Sequence, residues 1–128
     1  MKLFAEISAG ELVDKITILE IKLDRIGDNV KRANIARELA GLTHALDMNI
    51  GGDEAVTDLR RALKTVNAEL WRIEDDIRTQ ERAQNFGPVF VSLARSVYRE
   101  NDRRADLKRQ VNLLTRSALV EEKSYAAY

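Results

Sequence analysis

Seven apolar residues, Val56, Leu59, Leu63, Val66, Leu70, Ile73 and Ile77, recur at alternating steps of three and four. A helix gathers such positions on one face, whereas a strand, which repeats every two residues, scatters them. The stripe predicts one helix over 54–85, about 48 Å long at 1.5 Å per residue. A helix of that length cannot bury its stripe alone, so the rest of the chain, or another chain, has to cover it.

The flanking sequence supplies more helices. Ser8-Ala9-Gly10-Glu11 is a capping box: the Ser8 hydroxyl can accept from the Glu11 amide, the Glu11 carboxylate can reach back, and Ile7 and Leu12 are placed to staple the entry. Leu12, Ile16, Leu19, Leu23 and Ile26 then form one stripe, which predicts a helix over 9–26 stopped by Gly27. A second helix is expected over 30–46, entered through Asp28 or Asn29 and carrying Ile35, Leu39, Leu42 and Leu46 inward. Phe86-Gly87-Pro88 breaks the chain and opens a helix over 88–117, followed by a tail at 118–128. The expected fold is all-α: an up-and-down bundle in one domain, with two shorter N-terminal helices packed on a long antiparallel hairpin. Because the short helices cover only part of the hairpin, a homodimer is the simplest supplier of the missing surface.

Composition narrows the chemistry. The chain is 45% apolar and 33% charged, with Lys+Arg and Asp+Glu equal at 21 each, so the net field selects no anionic partner. It has no cysteine and one histidine, His44, which excludes a thiolate nucleophile and a cysteine zinc site; no metal and no cofactor are expected. No apolar run approaches the roughly 18 residues of a membrane span, and the opening residues lack a signal-peptide block, so the expected location is cytoplasmic with no membrane contact.

The fourth helix holds the main anomaly. Its inward arc carries Phe90, Leu93, Val97, Leu107, Val111 and Leu114, yet the same arc carries Glu100, Arg104 and Lys108, with Asn101 and Asn112 at its edge. Charges facing a core must be paired. One expectation is that Glu100 and Arg104, four apart, pair with each other. The other is a polar pocket for a small anionic ligand, with Arg95, Arg104 and Lys108 as clamps and Tyr98, Glu100, Asn101 and Asn112 around them. All-helical chorismate mutases illustrate by analogy that a bundle of this size can work that way. From Arg95 to Arg116 seven basic residues stand against three acidic ones, but they surround the helix, so nucleic-acid binding is disfavoured.

Helix one has a second face, Asp14, Ile18, Ile21 and Arg25, which marks either a helix packed on both sides or an interface. Trp71, off the main stripe with Asn67, Asp75 and Arg78, is a further interface candidate, since tryptophan and arginine are enriched in hot spots. Glu74, Asp75 and Asp76 point 100° apart in turn and, with Arg72, Arg78 and Arg82 between them, read as an ion-pair face rather than a chelate. The tail is expected to fold back over the hairpin, gate the pocket, or exchange with a neighbour.

The stretch Ser8-Ala9-Gly10-Glu11-Leu12-Val13-Asp14-Lys15-Ile16-Thr17-Ile18-Leu19-Glu20-Ile21-Lys22, the middle Leu70-Trp71-Arg72-Ile73-Glu74-Asp75-Asp76-Ile77-Arg78, and the late Leu93-Ala94-Arg95-Ser96-Val97-Tyr98, Asn101-Asp102 and Leu119-Val120-Glu121-Glu122-Lys123-Ser124-Tyr125 resemble an uncharacterised bacterial domain-of-unknown-function family. The resemblance implies no activity, ligand or catalytic residue. From the residues themselves, the leading expectation is a non-enzymatic protein-interaction or assembly module, dimeric or with a protein partner. The alternative is a small anionic metabolite bound along the fourth helix.

Overall fold

A computed structural model describes all residues, Met1–Tyr128. It is all-helical: α1 (Ala9–Arg25), α2 (Asn29–Asn49), α3 (Glu54–Arg82) and α4 (Pro88–Leu114). α3 and α4 form the expected antiparallel hairpin, and α1 is the helix that touches all three others. α2 packs on α1 and makes no close backbone approach to α3 or α4, so it is an outer layer.

Three of the helices start where a side chain can accept from their first amides, whereas α4 opens on Gly87-Pro88 without a side-chain cap. Ser8 accepts from the Glu11 amide, Asp28 from Lys31, and Asp53 from both Ala55 and Val56. Only half of the expected capping box forms, because the Glu11 carboxylate turns to Lys108 instead of reaching back. Ile7, expected to staple onto Leu12, stays exposed. At the other end of α1, the Arg32 guanidinium donates to the carbonyls of Leu23 and Ile26, satisfying acceptors that the helix leaves open.

Helix ends depart from expectation where a residue other than glycine reverses the backbone. α3 stops at Arg82 rather than 85, with Gln84 at φ 55°, and α4 stops at Leu114 rather than 117, with Arg116 at φ 54°. Left-handed stops are usually glycine, so neither end was marked by the signal that marks most. α2 runs three residues beyond 46, to Asn49, before Gly51 turns the chain at φ 72°.

The core is Leu12, Val13 and Ile16 of α1, Leu46 of α2, Val56 and Leu63 of α3, and Val111 of α4. It lies at the base of the hairpin, where α1 begins, α2 ends, α3 begins and α4 ends. Beyond it α1 flanks the hairpin as far as Ile18 and Ile21, which share a cleft with Leu70, Trp71 and Glu74, and only the tip of the hairpin continues alone. Past Asn67, α3 buries only Ile73, and α4 buries nothing ahead of Lys108. We call the part of the hairpin above the core, residues 69–103, the stalk; α1 flanks its lower end, and its tip consists of α3 and α4 alone.

Candidate functional site

Above the apolar core lies a polar layer built by α1, α3 and α4. Asp14 is completely buried. Its two carboxylate oxygens accept from the Arg104 Nε and Nη2 at 2.9 and 2.6 Å, and Asn67 Nδ2 donates to one of them at 2.9 Å. The same Asn67 amide also lies 2.9 Å from the Thr17 hydroxyl, which donates to the Asp14 carbonyl at 2.7 Å. Two side chains, Arg104 of α4 and Asn67 of α3, thus satisfy one buried charge of α1, as burial of a carboxylate requires. Hydrogen bonding to Asp14 raises the Arg104 pKa above its ordinary value, outweighing partial burial.

One turn on, Lys108 is buried between two carboxylates: its Nζ lies 2.7 Å from Glu11 of α1 and 2.7 Å from Glu121 of the tail. Burial alone would lower its pKa, but the hydrogen bonds to Glu11 and Glu121 carry it upward. Beside it α1 and α4 touch through backbone. The Gly10 amide donates to Asn112 Oδ1 at 2.6 Å, the Ala9 amide donates to the Ser117 hydroxyl at 3.1 Å, and a Cβ on Gly10 would collide with the Lys108 carbonyl oxygen. Asn112 keeps its Nδ2 buried without a partner, so its orientation is set by the Gly10 bond.

Two clefts flank this layer. One, about 480 Å³, is lined by Ile18 and Ile21 of α1, Asn67, Trp71, Glu74, Asp75 and Arg78 of α3, and Asn101 and Arg104 of α4. The other, about 1380 Å³, separates α4 from the tail and is lined by Tyr98, Asn101, Asp102, Arg104 and Lys108 facing residues 121–128.

The predicted residues therefore divide. Asn101, Arg104, Lys108 and Tyr98 converge on the second cleft, and Asn112 on the α1 contact. Arg95 lies on the exposed side of α4 and lines neither cleft. The expected Glu100 to Arg104 pair does not form: Glu100 accepts from Arg103 at 3.2 Å, and Arg104 turns to Asp14. The reason is burial, since the completely buried Asp14 needs a guanidinium more than Glu100, which keeps some contact with solvent and finds Arg103. On α1, Asp14, Ile18 and Ile21 face α3 and α4 inside the chain, while Arg25 is exposed, so this second face is packing of a central helix. Trp71 is half-buried beside Ile18 and Ile21, and His44 is exposed. Arg72 pairs with Glu69 and Asp76, and Arg78 with Glu74, as the ion-pair reading of that run expected.

Sequence reasoning missed Gly10, Glu11, Thr17, Asn67 and Glu121 as members of the polar layer. One signal was present: Asn67 follows Val66 directly in the cleanest apolar stripe of the chain, and Asp14 and Thr17 are three apart on one helical face.

No helix is long and apolar enough to cross a membrane. Comparison with curated proteins and with solved structures returned no match. A family model matches residues 1–128 from end to end, and the chain belongs to that family, DUF6165, a family of unknown function.

Proposed function

We propose that this chain is a non-enzymatic protein-association module that pairs with a second copy of itself through the stalk. The observation that carries the reading is the uncovered hairpin. Leu70, Trp71 and Ile77 of α3 and Phe90, Leu93 and Val97 of α4 are only half-buried, and Phe86, Val89 and Val91 at its end are exposed. Two helices alone leave one apolar side of each stripe in water; a second hairpin laid across them completes a four-helix layer.

Charge favours an antiparallel second copy. Over residues 69–82 α3 carries five carboxylates against three arginines, and over 88–103 α4 carries three arginines against two carboxylates. A two-fold axis sets each α3 on the partner's α4, acidic edge against basic edge, and closes the assembly at two.

The small-anion reading draws less support. Arg104 and Lys108, its clamps, are already neutralised by Asp14, Glu11 and Glu121, and Arg95 stands apart from both. Hydrogen exchange tests the association. Amides of the stalk should gain protection as protein concentration rises through the micromolar range, while those of α2 do not change. Equal stalk protection at every concentration would remove the proposal.

A further inference from the structure

The tail is attached to α4 in an unusual way. From Ala118 onward it has no regular structure, and no backbone hydrogen bond ties it to the rest of the chain. It is held by side-chain ends alone: Glu121 on Lys108 at 2.7 Å, Glu122 on Arg109 at 3.3 Å, and Lys123 on Asp102 at 2.6 Å. The Tyr128 ring adds a tilted contact with Tyr98, centroids 4.9 Å apart. Apolar anchoring is slight: Val120 is half-buried, while Leu119, Tyr125 and Tyr128 are all exposed. The cleft of about 1380 Å³ beneath it is unpacked.

Such a strap is built to come away. Exposed ion pairs contribute little and are screened by salt. Lys108 is the buried anchor, and it keeps Glu11 at 2.7 Å when Glu121 leaves, so departure strands no bare charge. The groove left behind presents Lys108, still paired with Glu11 but with the ammonium donor that Glu121 held set free, the Arg109 cation beside it, a carboxylate at Asp102 one and a half to two turns earlier, and an aromatic face at Tyr98.

We infer that this side of α4 is a docking groove for an extended acidic peptide segment of a partner protein, and that the chain's own tail is its resident competitor. The partner segment has the chemistry the tail displays: two adjacent carboxylates for Lys108 and Arg109, a following cation for Asp102, and a tyrosine for Tyr98. The groove adjoins the stalk's apolar stripe at Val97, but the side chains that would hold the peptide, Lys108, Arg109, Asp102 and Tyr98, lie outside that stripe, so the inference does not require the stalk to pair.

The probe is a fluorescein-labelled peptide with the sequence of residues 118–128, titrated by anisotropy into the 128-residue chain. The receptor is the variant Glu121→Gln, Glu122→Gln, Tyr128→Phe, whose own tail is loosened. A tethered competitor acts at high effective concentration, so the probe should bind the variant at least about tenfold more tightly than the wild type. Affinity should fall with salt. Adding Asp102→Lys, at a partly exposed position that leaves the core intact, should abolish binding, and a probe carrying Lys123→Glu should restore it. Equal affinity for wild type and variant, no binding to the variant, or charge reversal without effect would each overturn the inference.

Discussion

Arg104 reaches ninety positions back along the chain to grip both carboxylate oxygens of the completely buried Asp14. The pair joins the first helix to the last, and Asn67 brings in the third. It is the one place where three helices meet through polar groups, and it stands between the apolar core and the uncovered stalk.

Breaking a buried pair from one side leaves the other charge without a partner. Asp14→Ala, or Arg104→Ala, should each cost about 3–5 kcal/mol in urea unfolding. The double variant Asp14→Leu, Arg104→Met should recover a large part of that loss, because two apolar groups leave no orphaned charge. Additive losses in the double variant would mean that packing, not charge pairing, governs the position.

Two glycines give opposite expectations for the same substitution. Gly10→Ala drives a Cβ into the Lys108 carbonyl and toward Asn112, an overpacking that costs about 1–3 kcal/mol and exceeds any helical gain. Gly41, in the middle of α2 with open space around it, should become more stable by about 0.5–1 kcal/mol as alanine. Thermal melting of both variants checks the pair, and a stabilising Gly10→Ala would disprove the close α1 to α4 contact.

Tail docking is tied to protonation at both ends of the pH scale. The hydrogen bond to Asp102 raises the Tyr128 phenol above its ordinary value, so its contribution is complete below about pH 10 and disappears as pH climbs through the raised value. The Asp102 carboxyl is lowered, first by the Lys123 hydrogen bond and then by Tyr128, so its contribution is present above the ordinary carboxylate range and is lost as pH falls through the lowered value. Ultraviolet titration of the tyrosines should show one phenol ionising late in the wild type. In Asp102→Ala that phenol should ionise with the others; an unchanged curve would place Tyr128 away from Asp102.

The seam that α3 presents was legible from one line of text, because a heptad is a local property of the helix that carries it. Ser8, Asp28 and Asp53 were equally plain as helix starts. The ends at Arg82 and Leu114 were not, since Gln84 and Arg116 adopt a conformation that composition assigns to glycine. The site was half legible. Arg104, Lys108, Asn101 and Asn112 stood out as polar groups on an inward arc, but their partners Asp14, Glu11, Gly10 and Glu121 lie far away in sequence, and only the fold brings them together. The nearest partner by spacing, Glu100, was the wrong one because helical spacing ranks neighbours without weighing burial.

Stalk pairing rests on half-buried side chains that folding alone does not need. Phe90→Glu should leave melting of the base within about 1 kcal/mol, a surface-scale change, while abolishing self-association. Val30→Glu, at an exposed position of α2, should alter neither. Loss of fold in Phe90→Glu would assign that ring to the monomer's own packing.

Sedimentation equilibrium of the wild-type chain is the most direct measure of the central claim. Stalk pairing should give a concentration-dependent approach to twice the 14.5 kDa chain mass in the micromolar range, reversed by Phe90→Glu. A mass of 14.5 kDa at every concentration would contradict it.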